Sequence, residues 1–189
     1  ASFTINLNTT PTADVTITIS SNDATEGTVS PTAITFTANQ TPSAKTIAVT
    51  GVNDAIVDGN IAYTIVTSNT VSTDANYSDK AVADVGVTNN DNDTANIIVT
   101  PTSGLTTTEA GGTATFTINL GSTPTGDVSI AISSNNTAEA TVSPASITFT
   151  ANQAPSAKTI TVTGVDDNID DDDKAFTMVT GTSSSPGDA

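Results

Sequence analysis

The chain has 189 residues with 20 acidic and 4 basic side chains, a net charge of −16 at pH 7, and no Cys, His, Arg or Trp. Nucleic-acid binding needs basic side chains that contact phosphates, and this chain has almost none. We therefore expect no nucleic-acid partner. The missing residue types also exclude Ser-His-Asp and Cys-His catalysis and zinc sites built from His or Cys. A hydrolase using carboxylates alone needs an acid with a raised pKa in a cleft, and we do not expect an enzyme.

Hydropathy and composition bear on where the protein works. The sequence contains no apolar run of about 18 residues and no basic-then-apolar leader, so we expect neither membrane insertion nor an export signal within these residues. Thr, Val and Ile are abundant and favour strands. Neutral strands with acidic turns are typical of exported β-repeats, and we expect an extracellular, secreted or cell-surface location. The absence of Cys fits an exported protein without disulfides as well as a reducing compartment.

An internal repeat organises the chain. Residues 1–76 align without a gap onto residues 114–189, each residue matching the one 113 positions later, with about six positions in ten identical. Such self-similarity marks a tandem array. We therefore predict two domains, residues 1–92 and residues 93–189.

Strand periodicity runs through both copies, and helical periodicity is absent. Apolar residues alternate with Thr, Ser or Asn, which predicts strands in which one face is buried. In chain order these runs are residues 3–7, 15–19, 34–36, 47–49, 63–65, 82–88 and 97–100. Breakers at Pro11, Pro31, Pro42 and Gly51 separate them at the spacing of sandwich turns. The predicted fold is all-β, with two tandem immunoglobulin-like antiparallel β-sandwich domains.

Each predicted domain is short of one strand. With conventional lettering, the first copy carries strands B to G and lacks strand A, whereas the second carries strands A to F and lacks strand G. Two explanations remain open. Either the chain belongs to a longer array, or identical subunits supply the missing strands by donor-strand contacts at the open edges.

The densest charge lies between the last two predicted strands, where residues 166–173 contain six carboxylates. Two like charges about 5 Å apart repel by roughly 1 kcal/mol even in water, so such a loop favours a bound cation. A ligand set of oxygens alone suits Ca²⁺, whereas Mg²⁺ prefers to keep its waters. The alternative is a solvated acidic turn.

Other acids are expected at the same pole of each domain. In an antiparallel sandwich the A–B, C–D and E–F loops and the exit of strand G lie at one pole. This rule collects 14 of the 20 acids there, namely Glu109, Asp23, Glu26, Glu139, Asp54, Asp58, Asp91, Asp93 and the six acids of residues 166–173. Convergence of loops far apart in sequence predicts a Ca²⁺ cluster.

Several short motifs resemble those of the Calx-beta repeat, a β-sandwich found in sodium-calcium exchangers and in large secreted bacterial surface proteins. They are Glu-Ala-Gly-Gly-Thr at residues 109–113, Val-Asp-Asp at 165–167 with Asp171 and Phe176, and Asn-Asp-Asn-Asp at 90–93. The resemblance implies Ca²⁺ ligands at Asp54, Asp58, Asp91, Asp93, Glu109, Asp166, Asp167 and Asp171. Asn53 stands where the second copy has Asp166, which implies a weaker first site. Asn135 and Asn136 blur the acidic pattern after strand C, so no C–D ligand is assigned.

These observations favour a structural protein. We expect a Ca²⁺-stabilised tandem repeat of an extracellular bacterial adhesin or surface filament, with neighbouring repeats or identical subunits as partners. The alternative is a carbohydrate- or surface-binding module whose ligand the sequence does not identify. Carbohydrate platforms use exposed aromatic side chains, and among the Phe and Tyr residues only Tyr77 is predicted to be free of the core.

Overall fold

The computed structural model describes residues 1–169 and 172–184, and this part of the chain contains β-strands and no helix. The prediction of an all-β, antiparallel fold is confirmed. The chain divides into two units. The first comprises Ala1–Asp54 and Asp58–Asp91, and the second comprises Ala55–Val57 and the described residues from Asn92 onward. Among the described residues there is no helix long and apolar enough to cross a membrane.

The first unit is built from two sheets. Its strands are β1 (Ser2–Ile5), β2 (Val15–Ser21), β3 (Gly27–Ser30), β4 (Ala33–Phe36), β5 (Lys45–Gly51), β6 (Ile61–Thr67) and β7 (Val85–Asn89). One sheet has the order β1-β5-β3, and the other has the order β4-β2-β6-β7. Apolar residues from both sheets meet in one core, which includes Ile17, Ile47 and Ile65. Full burial of such side chains stabilises the fold by about 1.5–3 kcal/mol each.

The second unit repeats this plan. Its strands are β8 (Ile97–Thr100), β9 (Thr113–Leu120), β10 (Val128–Ser134), β11 (Ala140–Ser143), β12 (Ser146–Phe149), β13 (Lys158–Gly164) and β14 (Met178–Thr180). The sheets have the orders β11-β13-β9-β8 and β12-β10-β14. Its core includes Phe116, Ile130 and Ile160.

The predicted run 34–36 is β4, and the structure adds before it a short strand, β3, that belongs to the other sheet; β11 and β12 repeat this arrangement in the second unit. In the first unit β3 pairs with β5, whereas β4 pairs with β2 across the core. Pro31 lies between β3 and β4, where it has no N–H to donate to either ladder. The sequence pattern predicted only β4, because Val29 is the single large apolar residue of β3.

The two units differ at their edges. Strand β8 covers the edge of β9 and has no counterpart in the first unit, where β1 is an edge strand. Strand β7 covers the edge of β6 and has no counterpart among the described residues of the second unit, where β14 is an edge strand. This is the arrangement that the strand lettering predicted.

Candidate metal centre

Three carboxylates of the first unit come together at one pole. Glu26 lies in the loop between β2 and β3, and Asp54 and Asp58 lie in the loop between β5 and β6. One carboxylate oxygen from each residue lies within 4.8 Å of the others. Two oxygens that bind the same Ca²⁺ at its usual 2.3–2.6 Å are separated by at most about 5 Å. The spacing and the oxygen-only donor set therefore fit Ca²⁺.

Backbone and amide hydrogen bonds hold the Glu26 side of this cluster. The Val52 N–H donates to the Glu26 carbonyl at 3.0 Å, which ties the start of the acidic loop to the end of the β2–β3 loop. The Asn89 amide, at the end of β7, donates to Glu26 Oε2 at 3.2 Å and to the Val52 carbonyl at 2.7 Å. A Cβ on Gly51 would lie 2.5 Å from Asn89 Oδ1, so a side chain at this position would have to displace the Asn89 amide.

Asp91 brings a fourth carboxylate to the same loop. Its Oδ2 accepts a hydrogen bond from the Gly59 N–H at 2.9 Å, and its own N–H donates to Asn60 Oδ1 at 3.0 Å. Gly59 has a φ of 77°, a conformation that glycine adopts without steric cost. Because Gly59 directly follows Asp58, the exit from β7 lies beside the cluster.

The cluster concentrates negative charge at a solvent-facing position. Asp54 and Asp58 are exposed and Glu26 is half-buried. At the 4.8 Å limit of their oxygen separations, two carboxylates repel by about 1 kcal/mol in water and by about 3.5 kcal/mol at an effective dielectric of 20. A divalent cation bound at this position would replace these repulsions with attractions.

The second unit preserves the backbone frame of this pole. The Val165 N–H donates to the Glu139 carbonyl at 2.9 Å, as Val52 does to Glu26. Asp167 Oδ1 accepts from the Ile169 N–H at 2.7 Å, and Asp166 is exposed. Glu109 and Glu139 line a common cavity together with Asp172 and Asp173. Asp171 lies outside the described residues.

The ligand set implied by the resemblance is only partly assembled in one place. Asp54 and Asp58 meet in the cluster, and Asp91 lies beside it. Asp93 is half-buried and belongs to the second unit. Glu26 completes the cluster, although no ligand was assigned to its loop. Two signals pointed to it: its place at the predicted acidic pole, and a Glu at the equivalent position 139.

The Phe and Tyr residues offer no exposed aromatic platform. Phe36, Phe116, Phe149 and Tyr63 are buried, and Phe3, Phe176 and Tyr77 are half-buried against the cores. The prediction that Tyr77 is free is wrong. Its hydroxyl donates to the Thr9 carbonyl at 2.9 Å and its ring packs on the core of the first unit.

Comparison with known proteins adds no assignment. No protein-family model matches the chain, and none of the curated proteins searched matches it. The resemblance to Calx-beta repeats therefore stays a prediction that rests on the short motifs.

Proposed function

We propose that this protein is a structural, Ca²⁺-stabilised tandem β-sandwich repeat of an extracellular bacterial adhesin or surface filament. Its partners in this proposal are neighbouring repeats or identical subunits, joined at open sheet edges by strand complementation. The observation that carries the proposal is the convergence of Glu26, Asp54 and Asp58 from two loops that are far apart in sequence.

Calcium would act here as a clamp on the loops at the pole. The candidate ligands connect the β2–β3 loop with the β5–β6 loop, and Asp91 adds the exit from β7. Holding three chain segments at one point reduces their local motion and stiffens the repeat. Sites of extracellular modules bind Ca²⁺ with dissociation constants of about 10⁻⁴–10⁻³ M, which suits a partly exposed cluster with few protein ligands.

A glycan-binding module is the weaker candidate. Sugar platforms need aromatic rings that face solvent, and every Phe and Tyr of this chain is at least half-buried. The Thr-rich strand faces remain available to other ligands, but no exposed aromatic group among the described residues singles out one of them. We therefore assign the sheets a structural role.

A thermal melt with and without Ca²⁺ tests the proposal. Both tyrosines, Tyr63 and Tyr77, lie in the first unit, so tyrosine fluorescence reports on that unit alone. At about 100 times the dissociation constant, a ligand stabilises the folded state by about 2.7 kcal/mol. We expect millimolar Ca²⁺ to raise the melting temperature by several degrees relative to chelator, and Mg²⁺ to raise it less.

The Asp58→Asn variant makes the test specific. Removing this charge relieves repulsion in chelator, so we expect the variant to melt at or above the wild-type temperature there and to lose most of the Ca²⁺ shift. Asp79→Asn is the matched control, because Asp79 lies in the loop between β6 and β7, at the other end of the unit, where its Oδ1 accepts a hydrogen bond from the Asn69 amide. Equal Ca²⁺ shifts in the two variants, or no shift in the wild type, would refute a metal-binding role for the cluster.

A further inference from the structure

One peptide bond in the acidic loop of the first unit is of a chemically reactive type. Asp58 is followed by Gly59, and no other Asp or Asn of the sequence precedes a glycine. An Asp-Gly bond closes readily into a five-membered cyclic imide, because glycine has no side chain to hinder attack of its amide nitrogen on the preceding carboxyl group. The sequence therefore singles out Asp58 as a candidate for spontaneous rearrangement.

The structure leaves this bond open to reaction. Asp58, Gly59 and Asn60 are all exposed, and residues 57–60 belong to no strand. Gly59 has a φ of 77°, and a Cβ built on it would have no heavy atom within 4 Å. Neither core packing nor a sheet ladder therefore restrains the bond.

The second unit shows that this backbone conformation does not require glycine. Asp172 stands at the position equivalent to Gly59, and its φ is 63°. Asp and Asn are among the residues other than glycine that enter this left-handed region most often. Glycine at position 59 thus determines the reactivity of the bond more than the shape of the loop.

A carboxylate faces the amide group that reacts. The Gly59 N–H donates to Asp91 Oδ2 at 2.9 Å. Proton transfer needs a heavy-atom distance of about 2.6–3.2 Å. The exit from β7 therefore places a proton acceptor against the attacking nitrogen.

We propose that Asp58 and Gly59 form a site of spontaneous isoaspartate formation that disables the acidic cluster. The Gly59 nitrogen bonds to Cγ of Asp58 while its proton passes to Asp91 Oδ2. One carboxyl oxygen of Asp58 leaves as water with that proton and one from solvent, which gives a succinimide. Water then breaks one of the two imide C–N bonds. Cleavage at Cγ restores aspartate, whereas cleavage at the former peptide carbonyl gives isoaspartate.

Isoaspartate keeps the negative charge but moves it. The main chain then runs through Cβ and Cγ, which lengthens it by one carbon, and the free carboxylate is attached to Cα. In the structure one oxygen each of Glu26, Asp54 and Asp58 lies within 4.8 Å of the others. A longer main chain and a displaced carboxylate disrupt this spacing, so the cluster loses one ligand position.

Metal binding and the rearrangement compete for the same carboxylate. An Asp58 oxygen that coordinates Ca²⁺ cannot leave as water, so the site is preserved when metal is bound and converts when metal is absent. This competition rests on the proposed Ca²⁺ role of the cluster. The rearrangement itself needs only the Asp-Gly bond and water.

Incubation of the full-length protein in chelator at neutral pH tests the proposal. Trypsin cleaves after Lys45 and Lys80 and releases the segment between them as one peptide. Electron-transfer mass spectrometry of this peptide distinguishes isoaspartate at Asp58 from isoaspartate at Asp54, which lies in the same loop but precedes an alanine. We expect conversion at Asp58 to be at least tenfold faster than at Asp54, and to slow several-fold in millimolar Ca²⁺.

Gly59→Asn is the matched variant. Asparagine suits the left-handed backbone and leaves the net charge unchanged, but its side chain hinders the attack. We expect at least fivefold slower conversion, with the Ca²⁺ shift of the melting temperature retained. After long incubation in chelator the wild type should lose this shift in proportion to the converted fraction. The Asp58→Asn variant has to be melted freshly prepared, since its Asn-Gly bond loses ammonia through the same imide.

Three chemical outcomes would overturn the proposal: no isoaspartate at Asp58, equal conversion at Asp54 and Asp58, or equal conversion in the wild type and in Gly59→Asn. A fully converted protein with an undiminished Ca²⁺ shift would show that the cluster is not disabled. Because isoaspartate is counted in chelator, a wild type without any Ca²⁺ shift would refute the metal role and leave the modification site standing.

Discussion

Two residues in contact in the first unit, Gly27 and Tyr63, are both different in the second unit. Gly27 is buried against the ring of Tyr63, and a Cβ at position 27 would overlap the tyrosine hydroxyl and lie 2.7 Å from Cε2. The second unit has Ala140 and Phe176 at the equivalent positions, and Ala140 is fully buried. The methyl group of the alanine thus takes space that the hydroxyl occupies in the first unit.

From these paired differences we predict that a second substitution restores stability lost through the first. Gly27→Ala should destabilise the first unit by about 1–3 kcal/mol, because an added methyl group in a packed core forces its neighbours to shift. Adding Tyr63→Phe should restore at least about 1 kcal/mol, since it removes the overlapping oxygen. Urea unfolding followed by Tyr77 fluorescence gives the four stabilities of the cycle. Additive effects of the two substitutions would contradict the proposed contact.

Glu26 and Tyr77 mark how far sequence patterns specify the roles of single residues. The rule that alternate loops share a pole placed Glu26 near Asp54 and Asp58, and in the structure the Val52 N–H bonds to its carbonyl and the Asn89 amide to its carboxylate. Tyr77 lies in a loop without periodicity. Its contact with Thr9, 68 positions earlier, depends on the tertiary fold, and no local pattern encodes it.

At the scale of elements, hydrophobic alternation located the long strands and failed for β3 and β11. Each has four residues and one partly buried valine, so its burial depends on pairing with β5 or β13 and not on a pattern of its own. The pairing of β3 and β4 with different sheets is likewise a property of the closed sandwich. The missing neighbours of β1 and β14 were predictable, because they follow from counting strands in a repeat.

Asp74 lies in the connection between β6 and β7 and joins it by a hydrogen bond to the loop between β1 and β2. This side chain is buried, with 5% exposure, and its carboxylate accepts hydrogen bonds from the Thr12 N–H at 2.7 Å and the Asn76 N–H at 2.9 Å. The bond from Thr12, and then that from Asn76, lowers the pKa of Asp74 below its ordinary value. The charged form of Asp74 is therefore stabilised by folding.

This shift has a definite sign. Because the folded pKa of Asp74 is lowered, its contribution to stability is complete above about pH 3.9, the ordinary value for Asp, and is lost as the pH falls through the folded pKa. We expect Asp74→Asn to be less stable than the wild type at pH 7 and to lose less stability between pH 5 and pH 2. Urea unfolding across this range, followed by tyrosine fluorescence, measures both slopes. Parallel slopes would show that the interaction does not depend on the charge.

At the scale of the whole molecule, the two units have different reasons to be unstable without metal. The second gains the coverage of β9 by β8, but it contains an open cavity lined in part by Phe116, Phe176 and Met178, and residues 166–173 carry six carboxylates. The loop at the equivalent place in the first unit has only Asp54 and Asp58. Charge repulsion and uncovered apolar area both act against the second unit, so it should be the weaker one in chelator.

Unfolding in chelator should therefore occur in two steps. Far-UV circular dichroism detects both units, whereas tyrosine fluorescence detects only the first, so we expect the dichroism signal to begin to change at a lower urea concentration than the fluorescence. Raising the salt from about 0.05 M to 0.5 M should narrow the gap, because screening weakens repulsion among the exposed acids. Coincident transitions at both salt concentrations would contradict the argument, since units of unequal charge and coverage would then have equal stability.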